Sequence, residues 1–168
     1  MSEEKQKYEY TLGSYLKNPI GAGAATAPAR KIILDNMLEK YIHLRNAAKF
    51  FSKAYKIGKS IVLHIKVPSE TMEQFSYDVM IEFMDVSATS GSMIDRNIRV
   101  FSNAPSFVYT YAYVFNEREL LIPYLASKIP KQVFEDAPKQ RNPDETINYE
   151  KTIVYAILYI QENRLFNR

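Results

Sequence analysis

Hydrophobic positions change period several times along this chain, and each change predicts an element. From Arg30 onward, Leu34, Met37, Tyr41, Leu44, Ala48, Phe51 and Tyr55 recur every three or four residues. That spacing makes one apolar stripe along about seven turns of a single helix. Pro28 precedes the stripe and Gly58 supplies its stop. Ile33, Ile42 and Phe50 widen it, which predicts a helix lying on a sheet and touching more than one surface. The period then drops to two. Ile61, Leu63, Ile65 and Val67 alternate with Val62, His64 and Lys66, a half-buried strand over Ser60–Val67 that Pro68 ends. Phe75, Tyr77, Val79, Ile81 and Phe83 alternate with Ser76, Asp78, Met80, Glu82 and Met84. This second strand pairs antiparallel with the first, placing His64 and Lys66 beside Asp78 or Glu82.

A polar loop over 87–96 leads to a short third strand, Asn97–Ser102. A fourth strand is predicted over Phe107–Phe115, with Phe107, Tyr109, Tyr111, Tyr113 and Phe115 on one face and Val108, Thr110, Ala112 and Val114 on the other. Neither face is polar, so this strand is expected to be central and covered on both sides. A short helix near Glu119–Lys128, bent or started by Pro123, precedes a loop holding Pro130, Pro138 and Pro143. The final helix is expected over Ile147–Asn163, with Ile153, Ala156, Ile157 and Ile160 inward and Thr146 as its cap. The expected fold is therefore α+β. A long N-terminal helix packs on a four-stranded, mostly antiparallel sheet, followed by C-terminal helices, all within residues 30–168.

Residues 1–29 differ from this domain. Gly13, Gly21, Gly23, Pro19, Pro28 and the run GAGAATAPA have little side chain to bury and much entropy to lose on ordering. Tyr8, Tyr10, Leu12, Tyr15 and Leu16 are apolar anchors there without a local partner. The segment reads as a flexible or extended arm, either free or ordered on a neighbouring subunit.

With 168 residues, 46% hydrophobic, the chain has room for one compact domain. It has no cysteine, which excludes disulfides, thiolate metal sites and cysteine nucleophiles. It has no apolar run of about 18 residues, and the opening MSEEKQKYEY lacks the apolar core of a secretory signal. A soluble protein without a membrane partner is expected.

The net charge of +3 hides a division. Residues 30–67 hold nine Lys or Arg against two acids, a net of +7, whereas 68–96 hold one Arg against six acids, a net of −5. Arg45, Lys49, Lys53 and Lys56 fall on one side of the predicted first helix, opposite the apolar stripe. Such a ridge either complements the helix dipole and keeps the outer face wet, or meets phosphate or an acidic partner. Opposed charges on one small chain suit a homo-oligomer in which the basic helix of one subunit faces the acidic hairpin of the next. The candidate interaction residues are Tyr8, Tyr10 and Tyr15 on the arm, Arg45, Lys49, Lys53 and Lys56 on the ridge, and Asp78, Glu82 and Asp85 on the hairpin.

Catalytic signatures are missing from the sequence. His43 and His64 lack any HExxH-type ligand spacing, there is no GxSxG elbow, and Gly21-Ala22-Gly23 has neither the third glycine of a dinucleotide fingerprint nor a P-loop lysine. No catalytic, cofactor-binding or metal-ligating residue is assigned, no cofactor is expected, and the chain is read as a non-enzyme. The aromatic row has no Lys or Arg between Ser106 and Glu117, so it reads as core rather than as a base-stacking platform.

The stretch from Asn97 to Pro143, with RVFSNAPSFVYTYAYVFNERELLIPYL and a later RNP, resembles structural proteins of tailed bacteriophages of low-GC hosts. The Lys, Asn, Ile and Tyr usage and the lack of Cys and Trp agree with that. The predicted element order is similar to tail-completion and neck ring subunits. The resemblance implies a virion protein made in the host cytoplasm, present as a multi-copy ring at the neck or tail, with portal, neck or tail proteins as neighbours and the arm reaching across subunits. Two other readings stand beside it. One is a small nucleic-acid-binding protein using the basic ridge, and the other is a phage regulator that binds a host protein.

Overall fold

The computed structural model describes residues 9–17, 27–86, 93–135 and 149–165. Tyr8, the glycine-rich run, the loop over 87–92, Pro138, Pro143 and Thr146 lie outside the described residues. The fold is α+β, with a four-stranded antiparallel sheet and several helices. In chain order these are helices α1 (Leu12–Lys17) and α2 (Ala27–Ala47), then strands β1 (Phe51–Ile57), β2 (Ser60–Pro68), β3 (Ser76–Phe83) and β4 (Ile98–Ser102). Helices α3 (Pro105–Thr110), α4 (Ala112–Glu117), α5 (Lys131–Glu135) and α6 (Lys151–Glu162) follow, with a 3-10 helix over Pro123–Lys128 between α4 and α5.

The strands lie in the order β1-β2-β3-β4, each antiparallel to its neighbour. The alternation seen in β2 and β3 sorts correctly onto two faces. Leu63, Ile65, Val67, Val79, Ile81 and Phe83 are buried on the face that α6 covers. Ile153, Ala156, Ile157 and Ile160 of α6 point inward as expected. The helix on the sheet is thus α6, not the long helix near the N-terminus. The 21-residue α2 is the second helix and packs on α6, through buried Tyr41 and Leu44. The expected cap for α6 also changes, because Glu150 accepts a hydrogen bond from the Ile153 N–H at 2.9 Å and starts the helix at Lys151.

Two predicted elements are different in kind. The first helix does not run to Tyr55. It ends at Ala47, and Phe51–Ile57 forms the edge strand β1. FSKAYKI carries a period of two as well as one of four, since Phe51, Lys53, Tyr55 and Ile57 alternate with Ser52, Ala54 and Lys56. Pairing of the whole of β1 with β2 decides between the two periods, from Phe51↔Lys66 to Ile57↔Ser60. Gly58 is a hairpin residue rather than a helix stop. It takes φ +57 while Lys59 stays at negative φ, the pattern of a two-residue turn with glycine first.

The predicted fourth strand, Phe107–Phe115, is instead the two short helices α3 and α4. Phe107, Tyr111 and Phe115 are four apart as well as two apart, so one helical face gathers them. Their rings meet edge-on, Phe107 with Phe115 at 5.3 Å and Tyr111 with Phe115 at 6.3 Å. A run apolar on both faces fits a buried helix as well as a central strand, and Pro105 at the first helical position favours the helix.

The two sheet edges are treated differently. The outer edge of β4 is covered by the chain: Ile98 N–H donates to the Tyr10 carbonyl, Val100 N–H donates to Leu120, and Ile122 N–H donates to Val100. Strand β1 has no neighbour on its outer side among the described residues.

Candidate interaction surface

The hairpin of β1 and β2 projects its outer strand into solvent. All residues of β1 except Ala54 are exposed, including Phe51 at 52%, Tyr55 at 40% and Ile57 at 44%. Register places Phe51, Lys53, Tyr55 and Ile57 on one face with His64 and Lys66 of β2, the face opposite α6. Lys49 Nζ stands 5.1 Å from the centre of the Phe51 ring, and Lys53 Nζ stands 5.3 Å from that of Tyr55. Aromatic rings and ammonium groups therefore alternate along an open strand. The backbone donors and acceptors on its outer side, away from β2, meet no further strand among the described residues.

The basic ridge inferred from helical spacing is broken up, because the helix ends before most of it. Arg45 lies in the last turn of α2 and is bonded to Glu162, with its guanidinium 6.0 Å from the Tyr41 ring. Lys49 follows the helix, and Lys53 and Lys56 lie on opposite faces of β1. Among the described residues, Lys49, Lys53 and Lys56 have no carboxylate partner.

The acidic candidates are engaged within the chain. Asp78 Oδ1 is 2.7 Å from His64 Nε2, and its other oxygen accepts from Asn103 Nδ2 at 3.2 Å. The cross-strand contact of His64 with Asp78 is the one expected from the alternation. Glu82 is buried opposite Arg99 and accepts from the Tyr124 hydroxyl at 3.4 Å. Burial together with the nearby Glu82 carboxylate pushes the Tyr124 hydroxyl up to about 12. Asp85 is exposed, in a left-handed conformation at φ 56 just after β3. Tyr10 and Tyr15 are buried in this chain's own core. Of the sequence candidates, the structure joins Tyr10 and Tyr15 ring to ring inside the core and sets Lys49 and Lys53 beside the rings of Phe51 and Tyr55, whereas Arg45, Lys56 and the three acids do not join them. Phe51, Tyr55 and Ile57 were missed as surface residues, although the alternation over Phe51–Ile57 ahead of Gly58 was a signal for them.

Behind the hairpin, α2 and the segment joining β2 to β3 enclose an open cleft of about 1290 Å³, lined by Asn36, Glu39, Lys40, His43, Met72 and Phe75 among others. Beside it, Glu70 accepts from the Tyr155 hydroxyl at 2.6 Å and from Lys151 Nζ at 2.9 Å, which ties this segment to α6. Burial raises the Glu70 carboxyl, but these two donors and the Lys151 charge outweigh it and hold the carboxyl below its ordinary value. A depressed carboxyl contributes stability above its unfolded pKa, and that contribution is lost as the pH falls through the folded value. Tyr155→Phe is expected to cost about 1 kcal/mol near neutrality. The difference from wild type should narrow as the pH drops below about 4, read as urea midpoints across pH 3 to 7. A gap that stays constant with pH would refute the coupling.

Among the described residues Glu150 is the most deeply buried carboxylate, at 1% exposure. It accepts from Ser106 Oγ and Thr152 Oγ1, both at 2.6 Å, and from the Ile153 N–H. Thr152 Oγ1 also lies 2.7 Å from Ser102 Oγ, so the cluster joins β4, α3 and α6. Among the described residues no three His, Cys, Asp or Glu side chains group as metal ligands, and no helix is long and apolar enough to cross a membrane. No family model, curated protein or solved structure matches the chain.

Proposed function

We propose that this chain is a non-enzymatic assembly subunit that works by contact with other protein chains. The observation that carries this reading is the open strand β1, with Phe51, Tyr55 and Ile57 exposed while the opposite sheet edge is covered. An uncovered edge bearing apolar side chains invites a partner strand, and its lysines limit indiscriminate pairing. The setting proposed is a tailed-phage virion, as a multi-copy ring at the neck or tail beside portal, neck or tail proteins. That narrower setting rests on the resemblance of the stretch from Asn97 to Pro143. The expected contact between basic and acidic regions changes in detail, because Asp78 and Glu82 are spent internally and Asp85 is the exposed acid of the three. Mass photometry with negative-stain imaging of the purified chain tests the proposal. Closed rings of several copies are expected, and a stable monomer at both low and high salt would overturn it.

A second reading has an observation of its own. Lys49 and Lys53 interleave with Phe51 and Tyr55, as side chains do where single-stranded nucleic acid stacks on a sheet. It ranks second because Asp78 shares that face with Lys66, and Lys56 points to the other side.

A further inference from the structure

We infer that β1 pairs antiparallel with β1 of a second copy of this chain, about a two-fold axis at Ala54. The inference builds on the reading of this strand as an assembly surface, and it adds the partner and the register.

The hairpin turn determines which backbone groups point outward. A two-residue turn over Gly58 and Lys59 makes Ile57 and Ser60 a hydrogen-bonded pair. Alternation along an antiparallel ladder then turns the N–H and C=O of Phe51, Lys53, Tyr55 and Ile57 toward β2, and those of Ser52, Ala54 and Lys56 outward. Facing residues in such a ladder must agree in direction, so a two-fold axis has to pass through a residue of β1 and not between two residues.

Side chains then choose among the remaining registers. An axis at Lys53 sets lysine against lysine. One at Tyr55 leaves Phe51 and Ser52 beyond the overlap. At Ala54 all seven residues pair, Phe51 with Ile57, Ser52 with Lys56 and Lys53 with Tyr55. The two most exposed apolar residues of the strand cover each other. Each Lys53 ammonium lies beside an aromatic ring of the second copy, as it already does beside its own Tyr55. No like charges face each other, and the smallest side chain of the strand stands on the axis. Two four-stranded sheets would join into one continuous sheet.

The chain contains no cysteine, so one introduced thiol reports the register directly. Facing residues of a hydrogen-bonded pair lie about 5.5 Å apart at Cα, within the roughly 4.4–6.8 Å span of a disulfide. Ala54→Cys should therefore give a covalent dimer on mild oxidation. Ile57→Cys is the control, because its own copy would lie six residues along the strand, about 20 Å away. At least a tenfold faster cross-link at position 54 than at 57 is expected on non-reducing gels. Equal rates, or no cross-link at 54, overturn the inference.

Ala54→Pro provides a second measurement. It removes an outward N–H and leaves the ladder to β2 intact. The variant should keep the wild-type circular dichroism while dimer affinity falls at least tenfold, and unchanged affinity in a folded variant contradicts the register. Rings that persist without a cross-link at 54 would overturn this pairing but not the assembly reading. A cross-linked dimer that never builds a ring would uphold this pairing and overturn the multi-copy ring. If the chain stays monomeric and the hairpin instead titrates a fluorescent single-stranded oligonucleotide, the surface belongs to nucleic acid and the pairing is wrong.

Discussion

Tyr15→Ala should destabilise the domain by about 3–5 kcal/mol, the range for emptying a buried aromatic site. Tyr15 is 2% exposed, and its ring meets Tyr10 at 5.8 Å, Tyr149 at 6.2 Å and Phe115 at 6.4 Å, each edge-on. Its hydroxyl accepts from the Glu150 N–H at 3.5 Å, and burial holds that hydroxyl protonated far above its ordinary range. Alanine would remove the ring that α1, α4 and the entry to α6 share. Since a domain of this size has about 5–15 kcal/mol in total, the variant should melt much earlier and unfold at much lower urea. Deleting the chain through Lys17 should do more. It would also strip Leu12 from the core, uncover Ile98 on the edge of β4, and free the Tyr149 hydroxyl from the Leu16 carbonyl. A truncated chain with unchanged melting would refute this account. The same experiment tests the arm expected from the sequence, because an arm that serves only neighbours could be removed without loss of fold.

The contrast shows which parts of the fold were legible from the chain. Strands β2, β3 and β4 and the inward face of α6 follow from local alternation and spacing, and the His64 to Asp78 contact follows from pairing the two strongest strands. The anchors Tyr10, Leu12 and Tyr15 were visible as apolar residues without a local partner. Apart from the contact of Tyr10 with Tyr15, their partners are remote: Tyr15 meets Phe115 and Tyr149, and Tyr149 donates to the Leu16 carbonyl, 133 residues away in the chain. No window of local sequence holds that information. Phe51–Ile57 and Phe107–Phe115 failed for another reason, since each satisfies two periods at once. Tertiary pairing with β2 selected the strand for the first, while Pro105 and the ring cluster selected helices for the second. The interaction surface was lost with the first of these errors, because a stripe read as helical put Phe51 and Tyr55 inside.

Glu150→Ala should cost about 2–4 kcal/mol, and its size comes from three places at once. The first is the cap: losing the acceptor at the start of α6 costs about 1 kcal/mol. The second is the buried hydroxyl pair, Ser102 and Thr152. With Glu150 present, Thr152 donates to the carboxylate and accepts from Ser102. Without it, one of the two buried protons has no acceptor, at about 1–3 kcal/mol. The third is the space the carboxylate fills between α3, β4 and α6. Ser106 contributes less, because it is exposed and water can replace its bond to Glu150. Glu150→Gln keeps the volume and an acceptor while removing the charge that suits a helix N-terminus, so about half the loss is expected. Thr152→Val in the Glu150→Ala background separates these terms, since it removes the stranded hydroxyl. It should cost clearly less there than in the wild-type chain, a coupling of about 1 kcal/mol or more. Urea unfolding of the four species measures it. Additive losses would mean that Glu150 and Thr152 act independently, and the polar knot would then not be the joint that holds α6 to the sheet.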